Sequence, residues 1–139
     1  MVVVVIVGIL ATIAIPYMRR MRESAQNGYL MNNWRVFSEG FEQYAQESGS
    51  YPPDANRGVI PTGMDVHLSN TNWTQVTPVG GNWDWDVGVY GFTAGISIVD
   101  TNLAVIQMQR LDAAFDDGDL STGLFRRVAS SRYSYILEL

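Results

Sequence analysis

Apolar positions open the chain almost without a break. Between Met1 and Ile15 only Gly8 and Thr12 interrupt the run, and the Thr12 hydroxyl can bond its own helix backbone. Eleven large apolar side chains fall within these fifteen positions: Met1, Val2, Val3, Val4, Val5, Ile6, Val7, Ile9, Leu10, Ile13 and Ile15. Wound into a helix they point all round the axis rather than along one stripe. Each is worth about 1.5–3 kcal/mol when buried, so leaving the set in water would forfeit roughly 15–30 kcal/mol, more than the net stability of a small domain. The segment therefore belongs in lipid or inside other protein.

Beyond Pro16 the pattern narrows to one face. Met18, Met21 and Ala25, then Leu30, Trp34, Phe37, Phe41 and Tyr44 recur at steps of three or four, while Arg35, Glu39, Gln43 and Glu47 take the other side. This predicts one helix to about Glu47, stopped by Ser48-Gly49-Ser50 and Pro52-Pro53. At 1.5 Å per residue it would be about 70 Å long, a stalk with a head at one end. Pro16 removes the hydrogen bond to the Thr12 carbonyl and Gly8 weakens the preceding turn, which predicts a bend or loosening between them. Residues 50–82 are rich in Pro, Gly, Asn and Thr and read as a long connection with at most one short element.

The clearest strand signal follows. Trp83, Trp85, Val87 and Val89 alternate with Asp84, Asp86 and Gly88; Phe92, Ala94, Ile96 and Ile98 alternate with Thr93, Gly95 and Ser97. Two strands joined near Tyr90-Gly91 would present all of these apolar side chains on one face, against the aromatic seam of the helix. Asp100 or Thr101 is placed to cap a short helix carrying Ala104, Met108, Leu111 and Phe115 on one side. Two more strands are predicted, Thr122 to Ala129 and Arg132 to Leu139. The fold class is α+β: a long N-terminal helix packed on a mostly antiparallel sheet. Residues 1–18 form its apolar half and residues 19–139 the head, divided into the amphipathic helix 19–47, the connection 50–82 and the sheet with a short helix over 83–139.

Charge and composition remove several functions. The chain has nine arginines, no lysine and fourteen acids, a net charge of −5, with ten of the acids beyond residue 47. An acidic head repels phosphate backbones, so no nucleic-acid partner is expected. No cysteine is present, which excludes disulfides, thiolate metal sites and cysteine catalysis. A lone His67 gives no material for a histidine triad or a multi-histidine metal site and is expected at the surface. Asp84 and Asp86 share a strand face, but no apolar pocket to split their pKa values is evident, and they are expected to be outward solubilising charge. Asp116, Asp117 and Asp119 around Gly118 offer hard oxygen atoms, yet without full calcium-loop spacing they read as a solvated helix-ending turn. Four tryptophans alternating with acids or stepping along a helix read as core rather than as a sugar platform. Tyr29, Trp34, Phe37 and Tyr44 likewise read as core rather than as an electron path. No catalytic residue, cofactor or metal site is expected.

The opening segment suggests a compartment and a family. From Met1 to Met18 a helix rises about 27 Å, close to a hydrocarbon core of about 30 Å. A secretory signal peptide would carry a basic region before the apolar run, whereas here Arg19, Arg20 and Arg22 follow it. By the positive-inside rule those arginines oppose an exported head, a conflict that a basic leader upstream would resolve. The sequence MVVVVIVGILATIAIPYM, with Gly8 and Pro16 in place, closely resembles the N-terminal segment of type IV pilins and type II secretion pseudopilins. In that family a leader ending in Gly, a methylated Phe and a charge-bearing Glu precede this stretch, and they would lie just upstream of Met1. GSYPPD after the helix resembles the Tyr-Pro closure of pseudopilins; VGGNWDWDV and DDGDLSTGLFRR resemble pilin-type heads more loosely.

The resemblance implies a structural subunit held in the inner membrane before assembly and then polymerised with copies of itself by pilus or secretion machinery. The product would be an extracellular or periplasmic filament whose core is built from Met1 to Leu10, Ile13, Ile15 and Pro16. A major pseudopilin is the nearest alternative within that class. A membrane-anchored periplasmic binding module that never polymerises is the alternative outside it.

Overall fold

Helix α1 spans Val2–Ser48 in the computed structural model, which describes residues 2–139. Its end follows the sequence: Gly49 turns into the left-handed region at φ 82°, and its N–H bonds the Ala45 carbonyl at 2.8 Å, closing the last turn. The helix stays continuous through Gly8 and Pro16, so the expected loosening does not interrupt it. A long apolar helix tolerates a proline because neighbouring turns keep their bonds. The Thr12 hydroxyl does bond its own backbone, donating to the Ile9 carbonyl at 2.7 Å.

Four strands form one antiparallel sheet in the order β1-β2-β4-β3, where β1 is Asn82–Val87, β2 Ala94–Val99, β3 Phe125–Ala129 and β4 Arg132–Glu138. Two helices complete the head, α2 at Asp65–Leu68 and α3 at Val105–Phe115. Pairing of Trp83 with Ile98, Trp85 with Ile96 and Val87 with Ala94 sets these residues on one face, as their alternation requires. Phe125, Tyr133 and Tyr135 extend the same face across β3 and β4.

That face lies on α1. Phe41 stacks on Trp85 with ring centroids 3.8 Å apart, and Phe37 meets both Trp73 and Trp83 edge-on at 5.0 Å. Such pairs add about 0.5–1.5 kcal/mol beyond the area they bury. The Trp34 indole donates to the Ile96 carbonyl of β2 at 3.1 Å, tying helix to sheet where an apolar side chain alone would only pack. All four tryptophans are buried, in keeping with a core role.

The connection over 50–82 is packed rather than loose. Met64, Leu68, Trp73 and Val79 enter the core, and the Trp73 and Trp85 indoles bond the Val59 and Pro52 carbonyls at 2.8 and 3.0 Å. Tryptophan N–H groups thus satisfy carbonyls that a loop leaves without ladder partners. Gly81 shows how closely the connection fits: at φ 80°, a Cβ there would fall 2.1 Å from the Val99 carbonyl oxygen. Gly81→Ala is expected to destabilise the head by about 2–4 kcal/mol through strain at a special φ. A tryptophan-fluorescence denaturation curve superimposable on that of the parent would refute this.

Several expectations are corrected. Met18 and Met21 are 68% and 56% exposed and Ala25 is exposed, because they lie on the side of α1 away from Leu30, while α3 meets the near side through bonds from Gln107 to Gln26 and Asn27 and from Arg110 to Glu23. Phe92 and Val89 lie outside the strands; Phe92 folds over Gly95 on the far face, and Val89 is partly exposed. Neither Asp100 nor Thr101 caps α3, whose N-cap is Ala104, an exposed residue. Asp100 instead accepts from Ser131 and Arg57, and Thr101 donates to the Val79 carbonyl. Strand β3 begins at Phe125 rather than Thr122, because Asp116 binds the Leu124 and Phe125 N–H groups and holds the chain in a turn. His67 is not at the surface: its side chain is largely covered, Nε2 lies 3.5 Å from Glu47, and Gly40 leaves room for α2 beside it.

Candidate functional site

Head and stalk divide α1 into two chemical halves. Leu30, Trp34, Phe37 and Phe41 are sealed beneath the head, yet from Val2 to Ile15 every large apolar side chain is 52–75% exposed in the single chain. Helical winding alone produces this: with about 100° between successive residues, Val2 to Val7 already occupy every direction, and no single partner surface can cover them. Val2, Val3, Val4, Val5, Ile6, Val7, Gly8, Ile9, Leu10, Ile13, Ile15 and Pro16 lie together on this uncovered stretch, as their run in sequence requires; Met1 lies outside the described residues. The stretch is long and apolar enough to cross a membrane. It holds no titratable side chain before Tyr17, so its only chemistry is exclusion of water.

Two polar clusters in the head were candidates for other chemistry. The first corrects the reading of Asp84 and Asp86 as outward charge. Both are buried on the sheet face opposite α1, and Arg132 of β4 reaches across β2 to join them. One guanidinium nitrogen lies 2.8 Å from Asp84; the other lies 2.7 Å from each Asp86 oxygen. Ser97 donates to Asp86 and shares a hydrogen bond with Ser134 at 2.6 Å, while Tyr90 places its ring under the guanidinium at 5.1 Å. Burial raises the Asp84 carboxyl above its usual pKa despite the Arg132 bond, and Asp86 adds to the rise. With one guanidinium shared between the two carboxylates, the cluster fastens β1 to β4 over the intervening strand.

The second cluster sits where α3 ends. Asp112, Asp116 and Asp117 each bring a carboxylate oxygen within 4.8 Å of the others, a hard-oxygen set that a proton or a divalent cation would relieve. Asp117 and Asp119 are held by Thr122 and Ser121, whose hydrogen bonds pull both pKa values down. Asp112, by contrast, is fully buried and both of its oxygens lack a hydrogen-bond partner. Burial first, and then the charges of Asp116, Asp117 and Asp119, push its pKa up to about 6. An acid whose folded pKa lies above its unfolded value favours folding most when protonated, and that contribution is lost as pH rises from about 4 through about 6. Asp112→Asn should therefore stabilise the head at pH 7.5 in chelator by up to about 3 kcal/mol for a shift of this size, read as a higher melting temperature, and change little near pH 4. An equal effect at both pH values would contradict the assignment.

These polar clusters had faint signals in the sequence. Asp112 falls one turn from Met108 and next to Leu111 on the apolar face of α3, where an acid is out of pattern. Arg132 heads a strand of Tyr, Ser and Ile, but nothing local in the sequence brings it to residues forty-six and forty-eight positions earlier. No protein-family model, curated protein or solved structure matches the chain.

Proposed function

We propose that this chain is the structural subunit of a helical filament of the type IV pilin and pseudopilin class. The observation that carries the reading is the all-round exposure of Val2 to Ile15 beside a head that is already closed over its own core. A single-pass anchor needs only lipid around it. A polymer adds what the resemblance of MVVVVIVGILATIAIPYM implies: transfer of that half-helix from lipid to contact with sister helices, where close packing replaces acyl contacts. The helix projects from the head as a stalk, as a subunit needs if its apolar part is to reach a common axis.

Before assembly the subunit stands in the inner membrane with Arg19, Arg20 and Arg22 at the headgroup level; afterwards the heads face outward. The chain's part is mechanical rather than catalytic. Its one histidine faces Glu47, and the buried acids Asp84 and Asp86 are tied to Arg132. Negative-stain microscopy of sheared cell-surface material and of membrane fractions, with mass spectrometry to identify this chain in any fibre, tests the reading. Fibres containing the chain are expected; monomers in detergent and no fibre would favour the unassembled anchor. Loss of surface fibres on deletion assigns a pilus, and exoprotein held in the periplasm assigns a secretion pseudopilus.

A further inference from the structure

Between the apolar half of α1 and the point where the head closes over it lies a collar with no partner of its own. Met18 is largely exposed, and Arg19 and Arg22 form no ion pair among the described residues. Farther up the same helix, a groove of about 610 Å³ runs along its flank, floored by Met31, Trp34, Phe115 and Tyr135 and edged by Glu39 and Glu42. These two glutamates are exposed and form no ion pair among the described residues either. The cation on the groove's edge, Arg35, is bonded to Asn32.

The spacing of the two sets is the same. Arg19 and Arg22 are three apart, hence on one face, and so are Glu39 and Glu42; each arginine precedes its glutamate by twenty residues. Twenty residues advance a helix by about 30 Å and turn it by about 200°, so the arginine face and the glutamate face point in nearly opposite directions. A helix cannot bring these faces together within itself. Two parallel copies offset by about 30 Å can, and the offset sets Arg19 beside Glu39 and Arg22 beside Glu42 in one step. Each copy then offers its collar to one neighbour and its groove to another. That is a head-to-tail contact, which propagates into an open polymer rather than closing on a dimer.

We infer that the collar of one subunit, Met18 with Arg19 and Arg22, docks along the Glu39–Glu42 edge of a second copy's groove, setting a stagger of about 30 Å between neighbours. This rests on the filament reading and names a contact that fixes its register. Methionine suits the apolar floor because its unbranched thioether adapts to an irregular surface, and the paired charges favour one offset over its alternatives.

Charge exchange tests it. R19E/R22E and E39R/E42R are each expected to reduce filament yield at least about tenfold by placing like charges together, and the quadruple exchange is expected to restore it. Because the chain has no cysteine, R19C and E39C copies can also be mixed and treated with a short bis-maleimide, which should give a dimer absent from either copy alone. Full yield from both double variants, or no mixed dimer in filaments that do form, overturns the inference. A collar that serves only lipid phosphates would show as loss in R19E/R22E, normal yield in E39R/E42R and no rescue, and this also overturns it. Failure of the unmodified chain to form filaments at all would instead sink the polymer itself.

Discussion

Ile9→Asp should abolish filaments while leaving the head folded. Ile9 is 56% exposed on the isolated helix and lies midway along the uncovered stretch, so in an assembled core every copy would bury one carboxylate with no partner. A charge placed at the centre of an apolar helix costs about 2.5–3.5 kcal/mol even in a bilayer, where water and headgroups can still be drawn in. In a dry protein core an uncompensated carboxylate costs several kcal/mol. Spread over every subunit, even 3 kcal/mol lowers the association constant more than a hundredfold per contact. Ile9→Leu, which nearly conserves volume, should assemble as the parent does. Val5→Asp is expected to behave as Ile9→Asp, since in the proposed core no direction around this half of the helix would be free of neighbours. The near-ultraviolet circular dichroism of the buried tryptophans would show that the head remains intact, and recovery of the variant in the membrane fraction would show that it still inserts. Normal fibres from Ile9→Asp would remove the polymer reading.

Arg132→Met carries the largest expected effect on the head. It would leave Asp84 and Asp86 buried on the outer sheet face with no counter-charge, Asp84 accepting only from the Trp85 N–H and Asp86 only from Ser97, and removing one partner of a buried ionic group costs about 3–5 kcal/mol. For a head of this size the melting temperature would fall by roughly 10–20 °C. The sign of the pH dependence is part of the expectation. Burial already raises the Asp84 carboxyl above its unfolded value, and without the guanidinium nothing offsets it, so the variant regains stability as pH falls towards the unfolded value of about 4 and loses it as pH rises. Asp84→Asn and Asp86→Asn added to Arg132→Met should recover most of the loss, because amides need no counter-charge. Thermal melts of the detergent-solubilised chain at pH 4.5 and 7.5 read both effects. A loss below about 1 kcal/mol at pH 7.5 would mean the cluster is solvated after all.

Patterns that repeat along the chain were legible without coordinates. The three-four spacing from Leu30 to Tyr44 gave the buried face of α1, and the alternation through Trp83 to Val87 and Ala94 to Ile98 gave both strands and the face they share. Both are local periodicities, set by helix and strand geometry. What stayed hidden depends on partners far apart in sequence. The Asp84–Arg132 pair spans the register of three strands, and the cover over 50–82 depends on Trp73 finding the Val59 carbonyl. The seam misled at its start for a different reason: the step from Ala25 to Leu30 is five residues, so Met18, Met21 and Ala25 lie on the side of the helix away from the head, while α3 meets Glu23, Gln26 and Asn27 on the near side.

For the uncovered half-helix, sedimentation of the intact chain after detergent removal is decisive, read together with maleimide labelling of an Ile9→Cys copy in a chain that otherwise has no cysteine. Filament assembly requires fast-sedimenting fibres in which the Ile9→Cys thiol is shielded from the reagent until detergent returns. A stable, slowly sedimenting monomer whose residue 9 thiol labels at once in plain buffer would contradict it.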